Sequence, residues 1–466
     1  MKKHILFLIS FFSLTLLFAQ SSPFPKVFYD SLNGSEAFSF VPAFDNGYMI
    51  VGETYYYQGL VFKMDTIGNI VWSRKYGLFG TTSFKNIIAT NDSCFVIVGY
   101  TSGVSGKDAF CMKIRSNGDT VWTTGVGGSQ YEKALSVQQT YDGGYIMTGN
   151  RQGINTTPAA YVFVAKLNSI GILEWTKELA LGNGSNNGSS IKQTPDSGYV
   201  IAGFMANYPP YDQSAIILKL SSNGIFLWAK KFNLYSPVSC FGNDLVITND
   251  GILYYMELEG AYAFALIKIN FSGTIIWSKE YHYGAINRDI FGASPKIHKT
   301  HDNCYVFVKA SCRDSPVIKV DSTGTAIWGR ILGIAGIDLL ESSDNGFIII
   351  GNGPTCAWAP QGIPQIGIIK LDSLGNGQSC DFNNFTDSIS FSSNTIISTS
   401  VNSSSLPSGG QHPTQLPINS INLQSEAGCV AIGSGILENN FDESISVFPL
   451  PAKDVINVKS EILYKV

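Results

Sequence analysis

Short apolar runs separated by turn residues recur along nearly the whole of this chain. Four follow one another between Phe84 and Val126: Phe84 to Ala89, Phe95 to Tyr100, Ala109 to Ile114 and Thr120 to Val126. Each has the length of a strand, and helical spacing of apolar positions is absent. The second run, FVIVGY, is apolar at successive rather than alternate positions, and GFIIIGN at 346–352 repeats the pattern. Strand side chains point alternately to the two faces of a sheet, so such a run needs cover above and below.

Two turn phrases set the rhythm. The first opens on Asp45, Asp92, Asp142, Asp196, Asp250, Asp302 and Asp344, in wordings such as DNGY, DGGY and DSGY. An Asp there can bond its own turn, and the Gly two residues later is expected to take positive φ, which makes the phrase a hairpin between strands one and two. The second phrase runs from a lysine to a glycine five residues on, beginning at Lys63, Lys113, Lys166, Lys219, Lys268, Lys319 and Lys370. A tryptophan stands four residues past the glycine in six copies: Trp72, Trp122, Trp175, Trp228, Trp277 and Trp328. Successive lysines are 50, 53, 53, 49, 51 and 51 positions apart. A four-stranded unit of that period predicts an all-β, seven-bladed β-propeller of antiparallel blades.

The seventh copy ends in IIKLDSLGNG without its tryptophan strand, while residues 24–30, FPKVFYD, resemble the WSRKYG that begins at Trp72. The N-terminal strand is therefore expected to complete the last blade, pairing edges that would otherwise invite aggregation. The tryptophans are expected to wedge between blades. The lysines, at the end of strand three, are expected to meet the turn aspartates as ion pairs or to cap carbonyls.

Of the 466 residues, 14% are charged and the net charge is -4, which leaves no basic surplus for phosphate backbones. Nucleic acid is not an expected partner. Lys2 and Lys3, an apolar stretch from Ile5 to Phe18 and the Ala19-Gln20 pair read as a signal peptide over 1–20, too short to span a bilayer, so the expected address is outside the cell or on its surface. No transmembrane segment is expected. Export permits disulfides. Cys380 with Cys429 and Cys312 with Cys356 are candidate pairs, and Cys94 and Cys111 are further candidates. Residues 24–380 form the expected propeller. From 381 to 440 the chain is rich in Ser, Thr and Asn, with Asp387 the one charge between 386 and 425, and reads as a linker or loosely packed extension.

Residues 444–460, SISVFPLPAKDVINVKS, resemble the opening of the C-terminal sorting domain of proteins exported by the type IX secretion system of Bacteroidota. Val447, Phe448, Pro449 and Pro451 to Asp454 match that wording, and Leu450 replaces its Asn. The resemblance implies the type IX machinery as a partner and a fragment of the sorting domain at 441–466. The blades are similar to glycine-rich propeller repeats common in secreted Bacteroidota proteins. DSTGTAIW at 321–328 also resembles the tryptophan-docking repeats of quinoprotein dehydrogenases, although the adjacent cysteines such an enzyme would want are missing.

Neither a nucleophile elbow nor a phosphate loop occurs, and His298 with His301 lacks a third ligand, so no metal, cofactor or catalytic residue is assigned. Both hairpin turns of every blade lie on one face. The connections between strands two and three, and from blade to blade, vary and lie on the other, where function is expected. There Tyr55, Tyr56, Tyr57, Tyr208, Tyr211 and Trp358 are candidates to stack on sugars or to anchor a protein. The expected function is non-catalytic binding or adhesion with a glycan or protein ligand. The alternative is an extracellular propeller enzyme, either a glycan-active hydrolase or lyase or a quinone-dependent dehydrogenase. Acids converging at the axial opening of the variable face favour the enzyme; aromatics and amides favour binding.

Overall fold

A computed structural model describes Phe24, residues 26–30 and 34–377, apart from connections at 78–80, 103–106, 129, 154–158, 209–211, 234–238, 259–262, 283–295, 310–314, 333 and 353–364. It also describes short strands between 383 and 427 and a hairpin of Ile445–Val447 with Ile456–Val458. Seven four-stranded antiparallel blades form a β-propeller, with no helix among the described residues. Blades 1 to 6 start at Ser35, Thr82, Tyr131, Asn186, Cys240 and Ile297. Blade 7 consists of Ala335–Glu341, Phe347–Asn352 and Ile366–Leu371, and Lys26–Asp30 supplies its fourth strand, with Lys26 opposite Ile368.

Apolarity on both faces of the second and third strands has a direct packing consequence. Seven hydrophobic clusters form, one between each pair of neighbouring blades. Within Phe95–Ser102, Phe95 and Ile97 face blade 1 while Val96 and Val98 face blade 3, and all four are fully buried. The cluster at the closure pools Phe28, Ile348 and Ile350 of blade 7 with Ile50, Phe62 and Met64 of blade 1.

The repeated residues lock these interfaces. Each tryptophan lies against the second-phrase glycine of the following blade. A Cβ on Gly171 would stand 2.7 Å from the Trp122 ring, and one on Gly118 would stand 2.9 Å from that of Trp72. Indole nitrogens donate onward, Trp72 to the Ser116 carbonyl and Trp328 to that of Ser373, both at 3.2 Å. Blade 7 has Phe24 in the tryptophan's place, with its ring 3.1 Å from where a Cβ on Gly68 would be. All seven lysines pair with the turn aspartate of their own blade, for example Lys113–Asp92 at 2.6 Å and Lys166–Asp142 at 2.9 Å. A hydroxyl two residues before the aspartate, as in Thr90, Thr140 and Thr194, donates to the same carboxylate.

One expectation about the turn is corrected. Positive φ falls on the residue directly after the aspartate: Asn46, Ser93, Gly143, Ser197, Asn303 and Asn345. The glycine one position further is there for space, since a Cβ on Gly198 would come within 2.6 Å of the Leu220 carbonyl of strand three. A second correction concerns thiols: Cys94 and Cys111 form no disulfide. Cys111 pairs in register with Val98, four positions up the strand from Cys94, which is beyond disulfide reach. Cys312, Cys356, Cys380 and Cys429 lie outside the described residues.

The Ser/Thr/Asn-rich stretch, which composition marks as linker or extension, supplies a fifth strand to every blade. Asn383–Asn384 joins blade 6, Ser390–Ser392 blade 5, Ile397–Ser400 blade 4, Ser404–Leu406 blade 3, Gln411–Pro413 blade 2 and Ile418–Ser420 blade 1. Leu423–Ala427 then pairs with Lys26–Asp30. The tail thus circles the propeller against the order of its blades.

Candidate functional site

Every inner strand of blades 1 to 5 and 7 carries a β-bulge at the same place, at Phe38, Lys85, Leu135, Ser189, Asn243 and Ile337. Bulges bend a strand and re-aim side chains. The residue after the bulge is polar, and in several blades it reaches a neighbouring inner strand. Ser39 donates to Asp338 at 2.9 Å, Asn86 donates to Ser39 at 3.0 Å, and Asn86 Oδ1 accepts the Val137 N–H at 3.0 Å. Asp244 accepts the Ile297 N–H at 3.1 Å. This polar ring surrounds the axis. Lys192 lies within it, its pKa lowered by burial and by Lys296 against the pull of Asp244 and Asp338.

Above the ring, at the variable-face end of blades 1 to 3, charged and aromatic groups gather. Glu36 and Glu53 are directly opposed across two strands, and burial, then the Glu53 charge, raises the pKa of Glu36. Lys85 stands 3.4 Å over the Phe38 ring and 3.9 Å from Glu53. Burial first, with help from Lys133 and Lys107, brings the Lys85 ammonium down to about 8 although Glu53 and Glu36 oppose the shift. The Tyr100 ring collects three ammonium groups, Lys133 at 5.0 Å, Lys107 at 5.2 Å and Lys85 at 5.7 Å. Burial raises the Tyr100 phenol, with Glu53 and Tyr57 adding to it, which places the rim tyrosine within electrostatic reach.

Tyr55, Tyr56 and Tyr57 are 64%, 65% and 56% exposed, with Tyr55 and Tyr56 edge to face at 5.8 Å. Their backbone is pinned. Thr54 receives the Tyr57 N–H at 2.7 Å, Gly34 receives that of Tyr55 at 2.7 Å, and the Tyr57 carbonyl accepts the Thr82 N–H of blade 2 at 2.6 Å. Tyr208 belongs to blade 4, which is not a neighbour of blade 1, and its ring lies 2.6 Å from where a Cβ on Gly184 would be. It packs on the connection that leads from blade 3 into blade 4. Tyr211 and Trp358 lie outside the described residues.

A second acidic group is closed off. Glu132 and Glu178, only 2% and 1% exposed, flank Arg151, whose Nη1 is 2.8 Å from Glu178 and whose Nε is 3.5 Å from Glu132. Burial pushes both carboxyls up to about 7 against the pull of Arg151. All three groups lie inside blade 3, with both carboxyls buried. His301 is paired with Glu341 at 2.6 Å, and no cluster fit to hold a metal ion occurs among the described residues.

Lys85, Lys107, Lys133, Tyr100, Glu36 and Glu53 escape a reading by repeats because they occupy positions that differ from blade to blade. One signal does exist: Lys85 and Asn86 interrupt the otherwise apolar run from Phe84 to Ala89 at the bulge.

No protein-family profile matches the chain, and no curated protein matches it by sequence. Solved structures are similar at a distance. A Bacteroides caccae protein of unknown function is 14% identical, with 61% of this chain and 93% of that one covered at a TM-score of 0.39. A streptogramin B lyase is 13% identical over 75% and 98% of the two chains, with a TM-score of 0.45. An α-L-arabinofuranosidase of Fusarium graminearum, bound to an iminosugar inhibitor, is 12% identical over 75% and 99%, with a TM-score of 0.45. Likeness this distant transfers no chemistry to this chain.

Proposed function

We propose that the protein is an exported, non-catalytic binding protein of the cell surface or its surroundings, delivered through the type IX machinery, and that its ligand docks at the axial opening of the variable face over blades 1 to 3. One observation carries the reading. Three tyrosines, all more than half exposed, stand on a loop whose backbone is hydrogen-bonded to both its own blade and the next, beside Tyr100. Exposed aromatic rings on a rigid loop stack on sugar rings or anchor a protein with little loss of conformational freedom. Glycan-array binding of the 21–440 fragment, repeated with Tyr55→Ala/Tyr56→Ala, tests it. Loss of binding in the variant supports the site, and equal binding overturns it.

The Glu36–Glu53 pair favours a second reading. Two opposed carboxyls, one with a raised pKa, are the equipment of a glycan-active hydrolase. Lys85 beside Glu53 speaks for charge balance instead. Release of reducing ends from a polysaccharide, abolished in Glu36→Gln, would establish the enzyme.

A further inference from the structure

Resting on the binding site proposed above, we propose that its ligand is a saccharide bearing an acidic substituent, held by Lys85, Lys107 and Lys133 around Tyr100. Three ammonium groups surround one ring, at 5.0, 5.2 and 5.7 Å from its centre. They come from three different strands and two blades: Lys85 from the bulge of Thr82–Ala89, Lys107 from the start of Lys107–Ile114 and Lys133 from Tyr131–Gln139. Lys85 has Glu53 at 3.9 Å. Neither Lys107 nor Lys133 makes an ion pair with a described residue.

Like charges gathered in a partly buried mouth repel one another. Each of Lys85 and Lys133 feels Lys107 as a destabilising neighbour, beyond the larger effect of burial. An anion placed among them removes that repulsion, so the free site is poised for one. Lysine offers a point charge rather than a planar fork, so the cluster selects charge and does not distinguish a carboxylate from a sulfate. The rest of the site suits a sugar. The exposed Tyr55, Tyr56 and Tyr57 offer ring faces and edges, while the Glu36 and Glu53 carboxylates can accept bonds from hydroxyls.

Calorimetric titration of the full chain with matched saccharides tests this. The pairs are an oligogalacturonide with its fully methyl-esterified form and a sulfated glycosaminoglycan oligosaccharide with its desulfated form. At least one acidic member is expected to bind about tenfold or more tightly than its neutral partner, with affinity falling as salt rises. Lys107→Met/Lys133→Met, with an unchanged melting temperature, is expected to erase the difference. Equal binding of acidic and neutral members, lost in Tyr55→Ala/Tyr56→Ala, would overturn the acidic class and leave the binding reading intact. Acidic preference that survives the lysine variant would overturn the site. Absence of binding to both acidic oligosaccharides would overturn the proposal outright. A preference confined to one pair separates the uronate source from the sulfate source.

Discussion

Docking of a tryptophan on the next blade's glycine can be isolated by comparing two glycines that share a backbone conformation and differ in what lies above them. Gly171 has φ +83 and Gly143 has φ +80. A Cβ on Gly171 would stand 2.7 Å from the Trp122 ring, whereas the nearest atom to one on Gly143 is Ser169 Cβ at 3.9 Å. Both alanine variants incur the left-handed conformation, about 1–2 kcal/mol, less about 0.4–1 kcal/mol from the stiffer unfolded chain. Only Gly171→Ala must also displace an indole ring toward ordinary contact distance, which, judged by overpacked cores, costs about 1–3 kcal/mol more. Gly143→Ala is therefore expected to lose roughly 1 kcal/mol and Gly171→Ala about 2–4 kcal/mol. Urea unfolding followed by tryptophan fluorescence and circular dichroism would measure both. Adding Trp122→Ala to Gly171→Ala removes the obstruction, so the double variant should lose less than the sum of the single ones. Equal losses for the two glycine variants, or strict additivity with Trp122→Ala, would refute the idea that these glycines are kept clear for the ring.

Phe24→Ala, at a position 3% exposed and in the seventh docking place, is expected to cost about 3 kcal/mol or more and to lower the melting temperature; an unchanged melting curve would mean the N-terminal strand does not close the ring. The raised carboxyls of Glu132 and Glu178 hold protons in the fold that the unfolded chain releases above its ordinary value near 4.5, so stability should fall as pH rises from about 4.5 to 7, by on the order of 3 kcal/mol for one such group. Glu178→Gln should flatten melting temperature against pH between 5 and 8, and the same slope in the variant would contradict this reading. A chain ending at 380 should keep its seven interblade cores but expose seven outer strand edges, giving a lower melting temperature and self-association by light scattering; a monomer as stable as the full chain would show the tail to be dispensable.

The repeat was readable because each blade solves the same packing problem, so the turn aspartate, the strand-three lysine and the tryptophan recur at fixed spacing. Seven blades, their strand order and the N-terminal closure all follow from that recurrence. Phe24 in the tryptophan's place follows once Lys26 is set opposite Ile368. The mouth was not readable in the same way. Lys85, Lys107 and Lys133 are separated in sequence, and only the packing of two inner strands against the second and third strands of blade 2 brings them to Tyr100. Positive φ was assigned one residue late because the sequence places a glycine where the constraint is the nearby strand-three carbonyl, while Asn46 and Ser197 take the left-handed turn themselves.

Composition says least about the strands of the tail, and the reason is physical. A fifth strand on an existing edge needs backbone donors and acceptors at the right spacing, and it needs no apolar core of its own. Opposite the third residue past each blade's tryptophan position stand, in tail order, residues 383, 392, 399, 406, 412, 419 and 426, steps of 9, 7, 7, 6, 7 and 7. Seven residues span at most about 23–25 Å, which bounds the distance from one outer edge to the next. The property kept constant is therefore length, which Ser, Thr and Asn satisfy as well as any residue that tolerates an extended backbone. The last of these strands ends on Lys26–Asp30, itself held against Ile366–Leu371, so both ends of the ring-forming chain are fastened in blade 7. Freeing the N-terminal strand then requires breaking two ladders rather than one, and loss of the tail should act first on the closure blade.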